Sequence, residues 1–450
     1  MLHFDHKKEL TPQIVAPLSF KKEQNSTKHT FEHKSHYLVW ARTLKKEIKV
    51  DLEELLFVGY SIDSPANKWN DYKEIDVKGK VLLSFVNEPT SDPSTFDGPK
   101  KLSYFGRWTY KLEEAERKQA RGIVFVHTRE TAGYDFTILS NQNSQYVNVN
   151  EGGHKLEFVI WITEDVAKRL FEETIGSKLS EMYSKANHRD FAPIPINLIF
   201  QAETKFENKD IKGINVMGVL RGELKGNIIL TSHHDHFGMG ASDENGDTIF
   251  NGFEDNCSGT GGMLGIVGVA STIKRTIPAS KRRTLLFLSV TGEEVGLLGS
   301  SFYVSNSKNT EFPCHETIAC FLFDILNVYG MTNDVVGLGS EYDQPFSKIF
   351  SAAAHREGLV VAPDPNPNSG SFFRSDAVSF HKLGIPTIYL WTGSDFKDKP
   401  KDYAKKMRDD YVSNRYHKQS DNYSDKFDFS GLIQQVRVTL RCIYYLLLKN

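Results

Sequence analysis

Residues 228–259, IILTSHHDHFGMGASDENGDTIFNGFEDNCSG, decide how this chain folds. The stretch begins with a short apolar run at 228–230, which is typical of a buried strand, and then breaks into His-His-Asp-His at 233–236. A buried parallel strand delivers side chains to the crevice at its carboxyl end. The pattern therefore predicts that His233 is offered to a metal while Asp235 orients it. A lone His-x-Asp is more often a hydrogen-bonded structural pair, so the metal hypothesis depends on the rest of the chain.

A second loop of the same stretch carries Asp255. It is followed by Cys-Ser-Gly at 257–259 and then by apolar residues at helical spacing between Met263 and Ile273. Asp255 is therefore expected on the loop that leads into a helix. Two loops, one after a strand and one before a helix, are expected to converge on one crevice.

The composition is typical of a globular protein. With 450 residues, of which 39% are hydrophobic and 25% charged, the chain is too long for one compact domain and suits two. A formal net charge of -2 gives no electrostatic footprint for nucleic acid or for an anionic membrane. No apolar run approaches the roughly 20 residues of a membrane helix. Four cysteines are too few for a disulfide framework, and Cys314 and Cys320 are left open as a pair or as two free thiols.

The first part of the chain predicts a module without an obvious site. Residues 1–36 are polar and irregular apart from one strand candidate at 14–20. Strands and helices then alternate up to a Pro-bearing linker, with strands predicted at 55–60, 81–86, 123–126 and 158–162, helices at 110–120 and 164–173, and the linker at 191–195. This block, about 38–194, gathers no cluster of His, Asp and Glu. The simplest interpretation is a non-catalytic module.

After residue 196 the pattern changes to repeated strand–helix units. The predicted strands are 228–231, 284–290, 317–323 and 387–391. Alternation with helices predicts a mostly parallel sheet that is covered on both faces. The chain ends in an amphipathic helix whose apolar residues share one face, Leu432, Val436, Leu440, Ile443 and Leu447.

Further acids and a histidine follow the later strands. The strand 284–290 runs into Thr-Gly-Glu-Glu, so one of Glu293 and Glu294 can bind a metal while the other faces a water molecule. The alternative for these two is a solvated turn. Asp324 lies inside the apolar run ACFLFDILNV, where a carboxylate is costly unless it is paired or coordinating. His417 stands ahead of the last helix.

Five ligand-type residues at successive loop ends favour a metal centre. They supply two imidazoles and three carboxylates, from His233, Asp255, Glu294, Asp324 and His417. One zinc takes three or four protein ligands, so five fit two zinc ions that share a carboxylate at about 3.5–4 Å separation. Glu293 is then the unligated carboxylate, free to act as a general base.

Six motifs in order resemble a known family, the co-catalytic di-zinc aminopeptidases, whose relatives include glutamate carboxypeptidase and the transferrin receptor. The motifs are TSHHDHFG, NGFEDNCSGT, TGEEVGLLGS, FLFDI, FFRSDAVSF with LGIPTIYL, and RYHKQSDNYSD. The block that begins near residue 55, with VKGKVLL and YFGRWTYKLEEAERKQARGIVFVHT, is similar to the protease-associated domain that many members carry as an insert.

The resemblance implies roles for individual residues. It implies that His233 and Asp324 hold one zinc, that Glu294 and His417 hold the other, and that Asp255 bridges them. It also implies further roles around the metals, with Asp235 supporting His233, Glu293 acting as base and acid, Tyr416 stabilising the oxyanion, and a non-proline cis peptide at Asp255-Asn256. Leu322, Glu254, Cys257 and Ala377 stand where members commonly have Asn, Asp, Ala and His, and none of these four is an implied ligand.

The N-terminus departs from the family pattern. Members usually begin with a secretion signal and a helical segment, whereas MLHFDHKKELTPQ has no apolar signal region. The resemblance implies a secreted or periplasmic protein. We therefore expect either that Met1 is not the natural start or that this copy has lost a piece of its peptidase domain.

These observations predict an α/β protein that acts as a zinc exopeptidase on peptides. The predicted peptidase domain has three layers around a mostly parallel sheet and comprises 1–37 and 195–450, with an inserted protease-associated α/β domain at 38–194. Two other functions stay open: a non-catalytic binding protein on the same scaffold, as the transferrin receptor is, and a single-zinc acyltransferase resembling glutaminyl cyclases. An aminopeptidase is favoured because acidic groups, which suit a free amine, gather at the predicted centre.

Overall fold

The computed structural model describes residues 2–22, 27–92, 94–96, 101–132, 134–140, 145–148 and 155–448. Parts of the predicted module at 38–194 therefore lie outside the described residues. The chain forms two compact units. The N-terminal unit comprises Asp5–Lys212 and Pro367–Gly370, and the C-terminal unit comprises Met1–Phe4, Gly213–Asn366 and Ser371–Asn450.

The N-terminal unit is built from strands and helices that alternate in its middle part. Its strands, of which the first and the last also include residues of the C-terminal unit, are β1 (Leu2–Lys21), β2 (His29–Thr30), β3 (Tyr37–Ala41), β4 (Glu47–Phe57), β5 (Asp63–Ser64), β6 (Trp69–Asn70), β7 (Val81–Phe85), β8 (Gly122–His127), β9 (Gln145–Asn148), β10 (Phe158–Thr163) and β11 (Ile194–Leu220). Its helices are α1 (Trp108–Arg117), α2 (Arg129–Ala132), α3 (Phe136–Ser140), α4 (Glu164–Ile175) and α5 (Leu179–Ala186).

The central strands of this unit are parallel, and β7, β8 and β10 are buried on both faces. Strands β4, β7, β8 and β10 are parallel neighbours in that order, and β3 and β11 pair antiparallel at the two ends. Side chains alternate between the faces. In β7, for example, Val81 and Leu83 enter one core cluster and Leu82 enters another. Helix α4 ends where Gly176 takes the left-handed conformation, with φ 69°.

The N-terminal residues differ from the prediction. Residues 1–36 were expected to be irregular around a strand at 14–20, but β1 spans 20 residues and pairs with β2, β9 and β11. Two of its partners, β9 and β11, lie far along the chain. Leu18 and Phe20 of β1 enter the same core cluster as residues of β4 and β7. Residues 5–37 and 195–212 therefore belong to the N-terminal unit, whereas the prediction grouped them with the peptidase domain.

The C-terminal unit continues with strand–helix repeats. Its further strands are β12 (Leu224–His233), β13 (Gly238–Met239), β14 (Ile249–Phe250), β15 (Arg283–Val290), β16 (Thr317–Leu322), β17 (Asp334–Leu338), β18 (Val360–Val361) and β19 (Thr387–Trp391). Its helices are α6 (Gly259–Thr276), α7 (Leu298–Asn306), α8 (Gln344–Arg356), α9 (Ala377–His381), α10 (Tyr403–Asn414) and α11 (Ser430–Leu448).

The sheet of this unit is mostly parallel, as predicted. Its order is β18-β17-β19-β16-β12-β15, followed by the section of β11 that pairs with β15. The pairs β12–β15, β12–β16, β16–β19 and β17–β18 are parallel, whereas β17–β19 and β11–β15 are antiparallel. The parallel β12, β15 and β16 lie side by side, so their carboxyl ends meet at one edge.

Two helical layers cover this sheet, which confirms the predicted three-layer architecture. Alternate strand residues enter different clusters: Ile228 packs with side chains of α6, α8 and α11, whereas Ile229 packs with side chains of α7 and α9. Burying one such aliphatic side chain contributes about 1.5–3 kcal/mol. The final helix packs as expected, with Ile443 and Leu447 fully buried.

Two further expectations concern the membrane and the cysteines. None of the described helices combines the length and the apolar character that crossing a membrane requires. Cys314 and Cys320 are buried free thiols, and Cys257 and Cys442 are free as well.

Candidate metal centre

The predicted ligands come from loops at one edge of the C-terminal sheet. His233 is the last residue of β12, Glu294 follows β15, and Asp324 follows β16. Asp255 lies in the segment Phe253–Ser258 directly before α6, where its own backbone is not helical (φ -115°, ψ 87°). His417 lies between α10 and α11. The fold therefore brings together all five residues that the sequence singled out.

Asp255 occupies the middle of the group. Its Oδ1 lies 3.2 Å from His233 Nε2, and its Oδ2 lies 3.5 Å from His417 Nε2. His233 Nε2 is also 3.5 Å from Asp324 Oδ1, and His417 Nε2 is 3.2 Å from Glu294 Oε2. The two oxygens of Asp255 thus face two different imidazoles, each of which has a second carboxylate beside it.

These spacings fit ligands of a metal better than hydrogen bonds. His233 Nε2 and Asp324 Oδ1 are buried and make no hydrogen bond within the described residues. Ligand atoms bound tetrahedrally to zinc at about 2.0–2.2 Å lie about 3.3 Å from one another. The four contacts of 3.2–3.5 Å match that separation. The donor set therefore fits a metal ion between His233, Asp255 and Asp324 and a second between His417, Asp255 and Glu294.

The tautomer of His233 suits a ligand. Its Nδ1 lies 3.1 Å from the backbone carbonyl of Asp235, so the ring donates its Nδ1–H there and keeps the lone pair of Nε2 for the crevice. The predicted support by the Asp235 carboxylate takes another form. That carboxylate lies 3.7 Å from His233 Nδ1 and instead accepts the backbone N–H groups of Glu293, at 3.2 Å, and Glu294, at 3.4 Å. Asp235 therefore joins the β12 and β15 loops.

The electrostatics of the centre favour a cation. Burial alone lowers the pKa of His233, but the carboxylates of Asp255 and Asp324 outweigh it and hold that pKa well above its ordinary value. Burial also opposes protonation of His417, yet Glu294 and Asp255 raise its pKa to about 9. The carboxylates thus attract positive charge onto both rings. The same field would stabilise divalent ions.

Glu293 stands apart from the ligand groups. Its side chain makes no hydrogen bond or ion pair in the part of the chain that the structure describes, although its backbone N–H is held by Asp235. Burial raises its pKa well above the ordinary value; the charge of His233 opposes this, and the nearby carboxylates of Asp376, Glu294 and Asp324 add to it. A carboxylate with a raised proton affinity and no partner suits a general base.

Tyr416 lies directly beside a candidate ligand. Its ring stacks on His417 with the centroids 3.7 Å apart. Arg374 Nη2 donates a hydrogen bond to the Tyr416 hydroxyl oxygen at 3.1 Å, which leaves the hydroxyl hydrogen available to another acceptor. The oxyanion role implied by the resemblance stays a prediction.

Sequence reasoning missed His236. Its Nδ1 lies 2.5 Å from Glu294 Oε1, which is a hydrogen-bond distance and shorter than the separation of two ligands on one zinc. The spacing of His236, Asp255 and Glu294 would also allow these three residues to hold an ion. The short distance favours His236 as a hydrogen-bond partner of Glu294 rather than as a metal ligand. The only signal in the sequence was its place in the cluster His233–His236, because β12 ends at His233 and strand alternation no longer applies.

Asn256 and Asp421 also bind the loops of the centre, and neither was predicted. The peptide bond Asp255-Asn256 is cis, as the resemblance implied. The Asn256 amide donates to Ser232 Oγ and to the Phe323 carbonyl, at 3.1 and 3.0 Å. Asp421 accepts backbone N–H groups of the Asp255 loop.

Comparison with known proteins finds leucine aminopeptidases among the relatives of this chain. Curated relatives include leucine aminopeptidase 2 of Arthroderma otae, 27% identical over 201 residues, which are 43% of this chain and 36% of that protein. The protein of the same name from Trichophyton equinum is 25% identical over 214 residues, which are 46% of this chain and 38% of that protein. The matched part of the chain thus spans little more than a third of the length of these relatives.

Solved structures similar to this chain include an aminopeptidase from Aneurinibacillus sp. strain AM-1, with a TM-score of 0.49 and 17% identity over 99% of this chain and 84% of that chain. A zinc aminopeptidase from Bacillus subtilis has a TM-score of 0.43 and 16% identity over 98% of this chain and 85% of that chain.

A family model covers the region of the candidate centre. It is described as Peptidase family M28 and matches residues 215–440. That region leaves out most of the N-terminal unit, whose resemblance to a protease-associated domain stays a prediction. The region contains all five candidate ligands and Glu293, and it makes up half of the 450 residues. This chain therefore belongs to peptidase family M28.

Proposed function

We propose that this chain is a zinc-dependent aminopeptidase that removes N-terminal residues from peptides. The observation that carries the proposal is the arrangement around Asp255, whose two oxygens face His233 and His417, each with a second carboxylate at ligand spacing. Membership of a peptidase family and similarity to proteins named leucine aminopeptidase support the reaction class.

The centre is proposed to hold two zinc ions. His233 and Asp324 would hold one, Glu294 and His417 would hold the other, and Asp255 would be shared between them. Bound zinc would polarise the scissile carbonyl and lower the pKa of a water molecule in the site. A single tetrahedral zinc that keeps an open position uses three protein ligands, so two of these five side chains would bind no metal.

The chain's own residues would carry the proton transfers. Glu293 accepts the proton of the attacking water and later delivers it to the leaving amine. Asp235 keeps Glu293 in place through its backbone N–H. The Tyr416 hydroxyl, which accepts a hydrogen bond from Arg374, would donate its hydrogen toward the negative charge that develops on the carbonyl oxygen.

The acidic character of the centre and the relatives named leucine aminopeptidase support cleavage from the N-terminus. Recognition of a free carboxylate needs basic side chains, whereas a free amine needs acidic ones. Glu293, Glu294 and Asp324 are acidic. A basic residue that could instead recognise a carboxylate is Arg374, which directly precedes Ser375 and Asp376. Its side chain donates a hydrogen bond to Tyr416. We therefore propose recognition of the substrate's N-terminal amine.

Peptides blocked at one end test this polarity. We expect cleavage of a free peptide and of its C-amidated form, and no cleavage after N-acetylation, because acetylation removes the amine that the acidic groups recognise. The products are identified by mass spectrometry. The same incubations with a Glu293→Gln preparation control for contaminating peptidases. Cleavage that survives N-acetylation and is lost on C-amidation would show a carboxypeptidase instead.

A further inference from the structure

Asp421 is a buried acid that joins two loops of the metal centre. It is fully buried and follows His417 by one short turn. Its Oδ2 accepts the backbone N–H of Asp255 at 3.1 Å, and both of its carboxylate oxygens lie 3.1 Å from the backbone nitrogen of Glu254. Its backbone carbonyl accepts the N–H of Phe253 at 3.0 Å. One residue of the His417 loop thus holds three consecutive N–H groups of the Asp255 loop.

A second link runs parallel to the first. Glu254, directly before Asp255, is buried and accepts a hydrogen bond from the Tyr329 hydroxyl at 2.6 Å. Arg415, just ahead of His417, pairs with the Glu254 carboxylate and also donates to the Tyr329 hydroxyl oxygen at 2.7 Å. The loops of Asp255 and His417 are therefore joined on both sides of His417.

The other side of the Asp255 loop is anchored independently. The Asn256 amide donates to Ser232 Oγ at the end of β12 and to the Phe323 carbonyl after β16. Its oxygen accepts the N–H of Ile325 at 3.3 Å. Asn256 therefore ties Asp255 to the two strand ends that carry His233 and Asp324, with no part played by Asp421.

A buried carboxylate is costly, so its contacts indicate its task. Removing a charged group from water is unfavourable unless hydrogen bonds replace the lost solvation. Bonds from backbone N–H groups to an ionised carboxylate are among the stronger ones. Asp421 receives them from the loop of another candidate ligand.

We propose that Asp421 is a positioning residue that fixes Asp255 relative to His417 and so sets the affinity of the metal position formed by Asp255, Glu294 and His417. The inference rests on the proposed zinc function. It adds that the affinities of the two metal positions depend on different hydrogen bonds, those of Asp421 for one position and those of Asn256 for the other. Loss of the hydrogen bonds of Asp421 should lower the metal affinity only of the position that includes His417.

Stepwise cobalt(II) titration of the metal-free full-length protein tests the proposal, with binding followed by absorption spectroscopy and calorimetry. Asp421→Asn keeps the shape of the side chain, but it removes the charge and turns an NH₂ group toward backbone N–H donors. We expect one ion to bind within about threefold of wild type and the other to bind about 10–100-fold more weakly, as for other residues that orient metal ligands. Asp425→Asn makes the same change on an exposed acid nearby and should alter neither constant.

Several outcomes would overturn the proposal. One is an Asp421→Asn variant that binds both ions with wild-type affinity. Another is an equal loss of affinity at both positions, which a general loss of structure would give. If Asp421→Asn does not fold, Glu254→Gln breaks the parallel link and must show the same one-sided loss. A wild-type chain that binds two cobalt ions but cleaves no peptide would refute the proposed activity and leave the positioning proposal standing.

Discussion

Glu293→Gln should lower kcat by about 10²–10⁴-fold while the metal content of the protein stays unchanged. An amide cannot accept the proton of the attacking water, so the general base is lost. Glu293 lies outside both groups of ligand atoms, so no metal contact is lost with it. The change keeps the size of the side chain and the backbone bond to Asp235. Initial rates on a leucine amide substrate and metal analysis of the same preparation measure both quantities.

The neighbouring acid provides a matched control for this variant. Glu294→Gln is the same substitution one residue further along the chain. Unlike Glu293, Glu294 lies 3.2 Å from His417 Nε2 and within hydrogen-bond distance of His236. Glu294→Gln should therefore lose metal as well as activity. A Glu293→Gln enzyme with near-normal kcat would show that the base is misassigned.

Asp255→Ala should lose both metal ions, which is the largest expected effect on metal content. Its two oxygens face the two imidazoles, so each position would lose one ligand of three. His417→Ala should lose mainly the ion shared with Glu294, because His233, Asp255 and Asp324 still stand together. Metal analysis after dialysis against a weak chelator distinguishes the two variants. Retention of one full ion by Asp255→Ala would contradict the shared role of that carboxylate.

Much of the C-terminal unit could be predicted from sequence because its signals are local. Apolar runs such as 228–230 mark strands that are buried on both faces, and the helical spacing after Asp255 marks α6. Parallel neighbours place their carboxyl ends at one edge. The predicted meeting of His233, Glu294 and Asp324 followed from that rule alone.

The N-terminal strand could not be predicted because its stability is not local. The sequence of β1 carries charged and polar residues between its apolar ones, and among its residues with described side chains Leu10 and Leu18 are fully buried. Its hydrogen bonds go to β9 and β11, whose pairing depends on the path of the whole chain. The predicted division of the chain at 194 differs from the observed one for the same reason, since β11 begins in the N-terminal unit.

The hydrogen bonds that hold the loops of the centre together could not be predicted from the sequence either. The His-x-Asp pattern at a strand end predicted that Asp235 orients His233, but β12 ends at His233 and the chain turns. The carboxylate then meets the N–H groups after β15. Asp421 and Asp255 are separated by more than 160 residues, and only the folded loops bring them together.

Zinc analysis of the purified 450-residue chain, after zinc loading and removal of weakly held ions, tests whether Asp255 is shared between two metal ions. We expect two zinc ions per chain, none in Asp255→Ala, and peptide hydrolysis that disappears with a chelator and returns with zinc. A stoichiometry of one zinc in the wild-type chain, still retained by Asp255→Ala, would contradict the shared centre and favour a single-zinc acyltransferase.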